Sequence, residues 1–436
     1  AVATAPFLHA DLGPRHVVLI SVDGMKPSVY MQPGPSKVPT LRRLMARGLH
    51  AQVRGVLPTV TYPSHTTMVT GVPPAAHGIF NNYVLDPEGR SNGSWYWYAR
   101  DIQAPTLYGL LKARGLTTAG VFWPVSVGAD IDYLLPEYGV TPHAKSLDLM
   151  RALSNPRSLI AAYEASTGTA LPWPMTDTER TALTAWILKT YRPNLTLLHI
   201  FDTDTAEHTF GPDTPEAVAA FEAADANIKT LVDTIDAAGM TDRTDIVVVS
   251  DHGFLPSSRQ VQVNAVFRRE GLLETDAAGK VTQWEAYYQP TGGLGFVFLQ
   301  RPDDEALRAR VGTLLAGIAA NPANGVAQLL DRAGIERLGG DTRAAFALDF
   351  SSGFQAGGGT DVLVKTGGSK GTHGYAPTHP ELLASLIMAG PDVPNAGALG
   401  TVRMTQIGPT IASWFGLVLS PQADAPLAVS PRTQQQ

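Results

Sequence analysis

Six residues of the types that bind divalent cations recur along the chain, each at the end of a predicted strand or in a glycine-rich segment. They are Asp23, Asp204, His208, Asp251, His252 and His373. Histidine nitrogens and aspartate oxygens bind zinc at about 2.0–2.2 Å. Two cations about 3.5–4 Å apart can hold both the attacking and the leaving oxygen of an in-line displacement. The six residues therefore predict a site for two divalent metal ions.

The spacing of these residues indicates how they divide. Asp204 and His208 are four residues apart, which places them on one face if a helical turn begins there. Asp251 and His252 are adjacent, so their side chains either serve two neighbouring positions or chelate one ion. A single residue such as Asp23, which precedes a glycine, would suit a plain turn. Only the whole set predicts a metal site.

Thr61 is the candidate nucleophile. It precedes a helix-like run over residues 66–70, and a hydroxyl at a helix N-terminus gains from the positive end of the helix dipole. Coordination to a cation lowers the pKa of an oxygen acid, so Thr61 is expected to ionise near neutral pH. Backbone N–H groups at the same place can bind phosphate oxygens.

The elements that carry these residues alternate between strands and helices. Apolar runs predict strands over residues 16–22, 117–123, 195–201, 245–250, 361–365 and 382–389. Helical patterns cover residues 38–47, 106–114, 178–190, 215–238 and 406–415. This alternation predicts an α/β fold with a mostly parallel sheet and helices on both faces. Sites in such sheets form beyond the carboxyl ends of the strands, where the candidate ligands stand.

The alternation breaks in one long stretch. Residues 254–370 are rich in glycine and alanine and mix short segments. We predict that they form an inserted cap subdomain, and that residues 14–253 and 371–416 form one catalytic core. Residues 417–436 contain several prolines and a glutamine triplet, which predicts a C-terminal tail that is ordered only in part.

Composition excludes several classes of function. The net charge is −6 and no dense basic block occurs, so a nucleic-acid scaffold is not expected as a partner. No apolar run reaches the ~20 residues of a transmembrane segment. The chain has no cysteine, which excludes thiol catalysis and thiolate zinc sites. Residues 1–6 resemble what remains after a processed cleavage region, so we expect a periplasmic or secreted protein. We also expect either a monomer or a homodimer.

Short motifs strengthen this interpretation. They are VDGM at 22–25, TYPSH at 61–65, VTG at 69–71, HGI at 77–79, NN at 81–82, SDHGF at 250–254 and THGY at 372–375. Jointly and in this order, they resemble the nucleotide pyrophosphatase/phosphodiesterase family of the alkaline phosphatase superfamily. The motifs extend over most of the chain, and their combination is far more specific than any one of them.

The resemblance implies a fold and a role for each residue. It implies an alkaline-phosphatase-like core and two divalent ions, with zinc expected. The ion that activates the nucleophile would be held by Asp23, Thr61, Asp251 and His252. The ion that stabilises the leaving oxygen would be held by Asp204, His208 and His373. Thr61 would become phosphorylated, Asn82 would donate to a nonbridging phosphate oxygen, and Tyr62 would contact the leaving group.

Three positions depart from the family pattern. Ser64 replaces the usual asparagine of the nucleophile motif, Thr203 replaces a proline, and Glu207 replaces a glycine. None of these changes removes a ligand, so they bear on the substrate class rather than on the chemistry. Among the other polar residues, His65 and His77 are expected to satisfy local hydrogen bonds, and His199 is expected to be structural or exposed.

Several functions remain open at this stage. The favoured one is hydrolysis of a phosphodiester or of a phosphoanhydride in a small molecule or nucleotide. A phosphonate hydrolase of the phosphonoacetate type, or a phosphomonoesterase, is the first alternative. Monoester enzymes usually add a cation, and the matching motifs contain no clear arginine or lysine for that purpose. A catalytically silent, metal-stabilised binding protein is the second alternative.

Overall fold

The computed structural model describes residues 15–91, 94–139, 146–394 and 397–429. The predicted processed start at residues 1–6 and the last seven residues of the predicted tail lie outside these ranges. In chain order the described strands are β1 His16–Val22, β2 Leu49–Arg54, β3 Thr118–Val121, β4 Tyr133–Leu135, β5 Leu195–Ile200, β6 Thr244–Val249, β7 Leu255–Val261, β8 Leu273–Thr275, β9 Val281–Trp284, β10 Ala286–Pro290, β11 Leu294–Leu299, β12 Val326–Asp331, β13 Phe346–Phe350, β14 Gly353–Ala356, β15 Val364–Thr366, β16 Gly371–Thr372, β17 Ala384–Ala389 and β18 Gly397–Arg403.

Helices alternate with these strands along the described chain. They are α1 Ser28–Met31, α2 Pro39–Arg47, α3 Thr61–Thr70, α4 Pro74–His77, α5 Leu107–Ala113, α6 Leu147–Leu153, α7 Leu159–Thr167, α8 Asp177–Tyr191, α9 Asp202–Phe210, α10 Pro215–Ala237, α11 Val263–Arg269, α12 Glu305–Ala320, α13 Arg332–Arg337 and α14 Ile407–Trp414. Among the described residues, no helix combines the length and the apolar character that crossing a bilayer requires.

The core is an eight-stranded sheet in the order β18-β2-β17-β6-β1-β5-β3-β4. The central strand β1 runs parallel to both β5 and β6, and β3 runs parallel to β5. Strand β17 is antiparallel to both of its neighbours. The predicted mostly parallel sheet is therefore confirmed.

The central strand β1 is apolar on both faces, and helices cover both faces of the sheet. Val18 and Ile20 face a cluster that includes residues of α2, α8 and α10. Val17 and Leu19 face a second cluster that includes residues of α3, α5 and α14. Successive side chains of a strand point to opposite faces, so an uninterrupted apolar run requires cover on both sides. The predicted α/β architecture is confirmed.

Several predicted boundaries differ from the structure by a few residues, and two of the differences have a local reason. Helix α3 begins at Thr61 rather than near residue 66, because Pro63 falls in the first turn, where the missing N–H removes no helical hydrogen bond. Strand β3 ends at Val121, two residues before its predicted end. Phe122 has a φ of 55°, which is incompatible with a continuing strand.

The stretch after β6 forms smaller layers. Strands β10, β11, β13 and β12 make an antiparallel sheet, and β7 pairs with β14, β15 and β16. These layers and α11 and α12 share their own apolar cluster, which includes Phe267 and Leu315. The division at residues 254 and 370 stays a prediction. Beyond α14, the Leu427 N–H donates to Thr410 Oγ1 at 2.9 Å, so this part of the tail packs on the core.

Candidate active site

The six candidate ligands lie together at the carboxyl edge of the central sheet. Asp23 directly follows β1, and Asp251 and His252 follow β6. Asp204 and His208 lie on α9, which begins two residues after β5. His373 follows the short strand β16. Parallel strands deliver their ends to one edge, so residues far apart in the chain converge there.

The first group of ligand atoms surrounds His252. Its Nε2 lies 3.2 Å from Asp23 Oδ1 and 3.2 Å from Asp251 Oδ2. All three residues are buried, and one ligand atom from each lies within 4.8 Å of the others. Thr61 Oγ1 lies 3.5 Å from the same His252 Nε2, so the candidate nucleophile borders this group.

The second group surrounds Asp204. Its Oδ1 lies 3.3 Å from His208 Nε2 and 3.5 Å from His373 Nε2. The two groups adjoin, because the rings of His252 and His373 stack with centroids 3.5 Å apart. The structure thus brings together all six predicted ligands in the two sets that the resemblance implied.

Hydrogen bonds fix which imidazole nitrogens face the groups. His208 Nδ1 lies 2.9 Å from the Gly371 carbonyl, and His373 Nδ1 lies 3.0 Å from the Thr59 carbonyl. A carbonyl oxygen only accepts, so each Nδ1 carries the proton. In the neutral imidazole the Nε2 atom then keeps a free lone pair, the form in which imidazole binds a metal.

Three carboxylate oxygens test whether the residues fit cations. Asp23 Oδ1, Asp204 Oδ1 and Asp251 Oδ2 are buried and have no hydrogen-bond partner. Buried polar atoms are ordinarily satisfied, and a bound ion is one of the few explanations for a group that is not. Each oxygen faces an imidazole Nε2, at 3.2–3.3 Å. This donor set suits two divalent cations.

The pKa values of the buried carboxyl groups also favour bound cations. Burial raises the pKa of Asp23 well above its usual range, and repulsion from Asp251 adds to the rise. Burial also acts to raise the pKa of Asp251, but the adjacent His252 holds that pKa well below its usual range. Crowded buried carboxyl groups cannot all ionise without compensating positive charge.

Asn82 lies beside the nucleophile. Its Oδ1 accepts the Tyr62 N–H at 2.8 Å, and its own N–H donates to Asn81 Oδ1 at 2.8 Å. Because Oδ1 accepts from a backbone N–H, the amide orientation is fixed. The Asn82 amide is therefore held against the backbone of Tyr62, the residue that directly follows Thr61.

Tyr62 corrects one expectation. Its ring is 0% exposed and packs edge-on against Trp95, with centroids 5.3 Å apart, and against Trp97 at 5.9 Å. A ring with no exposed face cannot stack on a leaving group in this conformation. The apolar ring gains more from burial among aromatic neighbours, so the predicted substrate contact of Tyr62 is wrong for this structure.

Two histidines outside the ligand set make the expected local contacts. His65 Nδ1 donates to the Thr61 carbonyl at 2.7 Å, and His77 Nε2 lies 2.9 Å from Thr67 Oγ1. Lys26 donates to both oxygens of Asp213 at 2.9 Å.

Two further residues near the site were not predicted to belong to it. His199, which the sequence predicted to be structural or exposed, lies in β5, where it is buried and contacts Asp23. Glu207 is fully buried against Gly24, where a Cβ would lie 2.7 Å from Glu207 Oε2. Gly24 has a φ of 75°, so both space and backbone require glycine there. Only the departure from the family pattern at Glu207 could have drawn attention to it.

Solved structures define the class of fold. Human ectonucleotide pyrophosphatase/phosphodiesterase 5 superposes with a TM-score of 0.67 over 94% of this chain and 97% of that chain, at 19% identity. An inactive variant of the murine protein, solved in complex with AMP, gives a TM-score of 0.65 over 93% of this chain and 96% of that chain, also at 19% identity. The fold is therefore alkaline-phosphatase-like.

A sequence profile identifies the family within that class. The profile described as type I phosphodiesterase / nucleotide pyrophosphatase matches residues 17–313, more than half of the 436 residues. The chain belongs to the type I phosphodiesterase/nucleotide pyrophosphatase family. This confirms the resemblance carried by the sequence motifs.

Individual relatives match about half of this chain. Ectonucleotide pyrophosphatase/phosphodiesterase family member 3 of Rattus norvegicus is 27% identical over 248 residues, which cover 54% of this chain and 24% of the relative. A venom phosphodiesterase of Macrovipera lebetinus is 26% identical over 251 residues, which cover 54% of this chain and 25% of the relative. This chain thus matches about a quarter of the length of these relatives.

Proposed function

We propose that this protein hydrolyses phosphodiester or phosphoanhydride bonds with Thr61 as the nucleophile and two divalent cations, most simply zinc, as cofactors. The observation that carries the proposal is the position of Thr61 Oγ1, 3.5 Å from His252 Nε2 within the first ligand group. The second group adjoins it through the stacked His252 and His373 rings.

The ligands divide as the two groups do. Asp23, Asp251 and His252 would hold one ion beside Thr61, and Asp204, His208 and His373 would hold the other. When bound, such cations stabilise the negative charge on the attacking and leaving oxygens. Family membership and the buried, unpartnered carboxylate oxygens support this assignment.

The chain's own groups then perform a double displacement. Thr61 Oγ1 forms a bond to phosphorus as the bond from phosphorus to the leaving oxygen breaks, and the hydroxyl proton passes to solvent. The leaving oxygen takes a proton from solvent. Water then cleaves the phosphothreonine bond, which releases the phosphate product and restores the Thr61 hydroxyl. Asn82 Nδ2 would donate to a nonbridging oxygen, and His65 would hold the Thr61 carbonyl.

The charge of the site favours diesters over monoesters. A monoester carries a second negative charge, which calls for an additional cation near the phosphate. Lys26, the lysine nearest to Asp23 in sequence, is already paired with both oxygens of Asp213. We therefore propose a small phosphodiester or a nucleotide as the substrate, in agreement with the names of the relatives.

We further propose that residues 254–370 act as a cap beside the leaving group. Asn81 Nδ2 donates to the Pro290 carbonyl at 3.4 Å, and the Tyr83 hydroxyl donates to the same oxygen. These contacts attach the predicted cap to the segment that carries Asn82.

The names of the relatives, which are ecto-enzymes and venom enzymes, support a periplasmic or secreted location. Fractionation of cells that express the protein naturally tests that location.

Replacing the nucleophile tests the function. Thr61→Ala should lower turnover of bis-p-nitrophenyl phosphate by at least about 10³-fold, because the covalent step is lost. Thr70→Ala, the same change at the other end of α3, is the matched control and should keep most of the activity. Wild-type activity in a folded Thr61→Ala protein would refute the assignment of Thr61. A strong preference for p-nitrophenyl phosphate would support the phosphomonoesterase instead.

A further inference from the structure

A buried histidine occupies the side of Asp23 that faces away from the first ligand group. His199 Nε2 lies 3.0 Å from Asp23 Oδ2. The other oxygen, Asp23 Oδ1, has no hydrogen-bond partner and lies 3.2 Å from His252 Nε2. The two oxygens of Asp23 therefore have separate partners: Oδ2 is held by the protein, and Oδ1 is left for a cation.

The imidazole of His199 is itself fixed on every side. Its Nδ1 lies 3.3 Å from Glu137 Oε2, and both residues are buried. Its ring packs edge-on against His65, with centroids 4.4 Å apart, and lies 5.2 Å from the ring of Phe201. A ring held at both nitrogens and along its sides cannot turn away from Asp23.

We propose that His199, oriented by Glu137, is the positioning residue that sets the orientation of Asp23 and thereby the affinity for the cation beside Thr61. The inference rests on the proposed function for the presence of that cation. It assigns a role to two residues that belong to neither ligand group. The described contacts place neither residue against Thr61, and the hydrogen bond to Asp23 is the contact through which they would act on the cation.

The physical reason is the cost of an unpaired carboxylate oxygen. Without the His199 donor, Asp23 Oδ2 would be buried with no partner, which is unfavourable for a carboxylate oxygen. The carboxylate would then rotate toward another donor, and Oδ1 would leave its place. Outer hydrogen-bond partners of metal ligands typically contribute about 10–100-fold to metal affinity.

Glu137 also links the site to the aromatic cluster. The next residue, Tyr138, packs its ring 5.0 Å from that of Trp97, which in turn contacts the Tyr62 ring. The segment that orients His199 is thus anchored on the cluster that covers the residue after the nucleophile. This anchoring makes Glu137 a fixed support for the imidazole.

The test measures zinc binding rather than turnover. Metal-free full-length protein is titrated with Zn²⁺ against a chromophoric chelator, which gives both dissociation constants. His199→Phe keeps a ring but removes the donor, and should weaken one of the two constants about 10–100-fold while the other is unchanged. His199→Gln retains an N–H donor and should recover part of the affinity. Glu137→Gln should weaken the same constant measurably, by up to about 10-fold.

His16→Gln is the matched control. His16 is also buried and starts β1 at the opposite edge of the sheet, where its Nδ1 contacts the Pro193 carbonyl. This variant should keep both dissociation constants. A loss of affinity in His16→Gln equal to that in His199→Phe would reduce the effect to general destabilisation and overturn the proposal.

The remaining outcomes separate this proposal from the proposed function. Wild-type zinc affinities in folded His199→Phe would overturn the positioning role. If that variant does not fold, unchanged affinities in Glu137→Gln and His199→Gln would overturn it. Zinc binding that follows the expected pattern, in a protein that hydrolyses no diester, would contradict the proposed function and leave the positioning role intact.

Discussion

At the scale of single residues, the metal ligands could be predicted from the sequence, whereas the residues that surround and orient them could not. Asp251 and His252 could be predicted because a strand pattern ends just before them. His199 could not, since its partners Asp23 and Glu137 are 176 and 62 residues away. The burial of Tyr62 depends on Trp95, which only the tertiary fold brings to it. Residue types and spacing indicate the ligands. Which residues hold those ligands in place depends on contacts between distant segments of the chain.

Removal of one metal ligand should abolish the binding of one of the two ions and leave the other bound. Asp204→Asn exchanges a ligand carboxylate for an amide and should lower the metal content from about two ions per chain to about one, with a loss of diester turnover of at least about 10²-fold. Elemental analysis of the purified variant measures the content. Asp202→Asn is the control, because Asp202 accepts the Asp177 N–H and lies outside both groups. An unchanged metal content in Asp204→Asn would refute its role as a ligand.

At the scale of elements, α9 carries two ligands and depends on α8 for its placement. The Asp177 carboxylate accepts the N–H groups of Phe201 and Asp202 at 3.0 and 2.9 Å, at the start of α9. The same carboxylate pairs with Arg180, whose guanidinium lies 3.7 Å from the Phe201 ring centroid. The helix start is thereby fixed by a buried ion pair.

Breaking this pair should be costly. Asp177→Ala leaves the buried Arg180 charge and two N–H groups without their acceptor, which should lower the free energy of unfolding by about 3–5 kcal/mol. Urea denaturation measures the change. Glu179→Ala, which removes only the capping contact to Thr176 in the same helix, should cost about 1 kcal/mol. Equal losses for the two variants would contradict the special role of Asp177.

A second element-scale contact predicts a pH dependence. His379 Nε2 donates to Asp349 Oδ2 at 2.6 Å, which joins the loop after His373 to β13. The hydrogen bond with Asp349 raises the pKa of His379 above its usual value of 6.5. A raised folded-state pKa stabilises the protonated, folded form, so this stability is full below pH 6.5 and is lost as the pH rises through the folded pKa.

The pH dependence can be measured by comparing variants. The difference in unfolding free energy between the wild type and His379→Gln should be largest in mildly acidic buffer and should shrink as the pH increases above 6.5. Urea titrations across that range give the difference directly. A difference that is constant with pH, or that grows with it, would contradict the proposed charge on His379.

At the scale of the whole molecule, periodicity predicted the layers but not the strand order. The apolar run of β1 required cover on both faces, and the structure supplies α2 and α10 on one side and α3 and α14 on the other. The antiparallel placement of β17 between β2 and β6 could not be read from the sequence, because pairing between distant strands leaves no local pattern. The same limit applied to the small sheets of residues 254–370.

The central claim is that two cations at the carboxyl edge of this sheet support hydrolysis by Thr61. The most direct test is elemental analysis of the purified protein beside a bis-p-nitrophenyl phosphate assay, before and after chelation. We predict about two zinc ions per chain, with activity that is lost on chelation and restored by added zinc. Metal-free protein with undiminished diesterase activity would contradict the assignment of all six ligands.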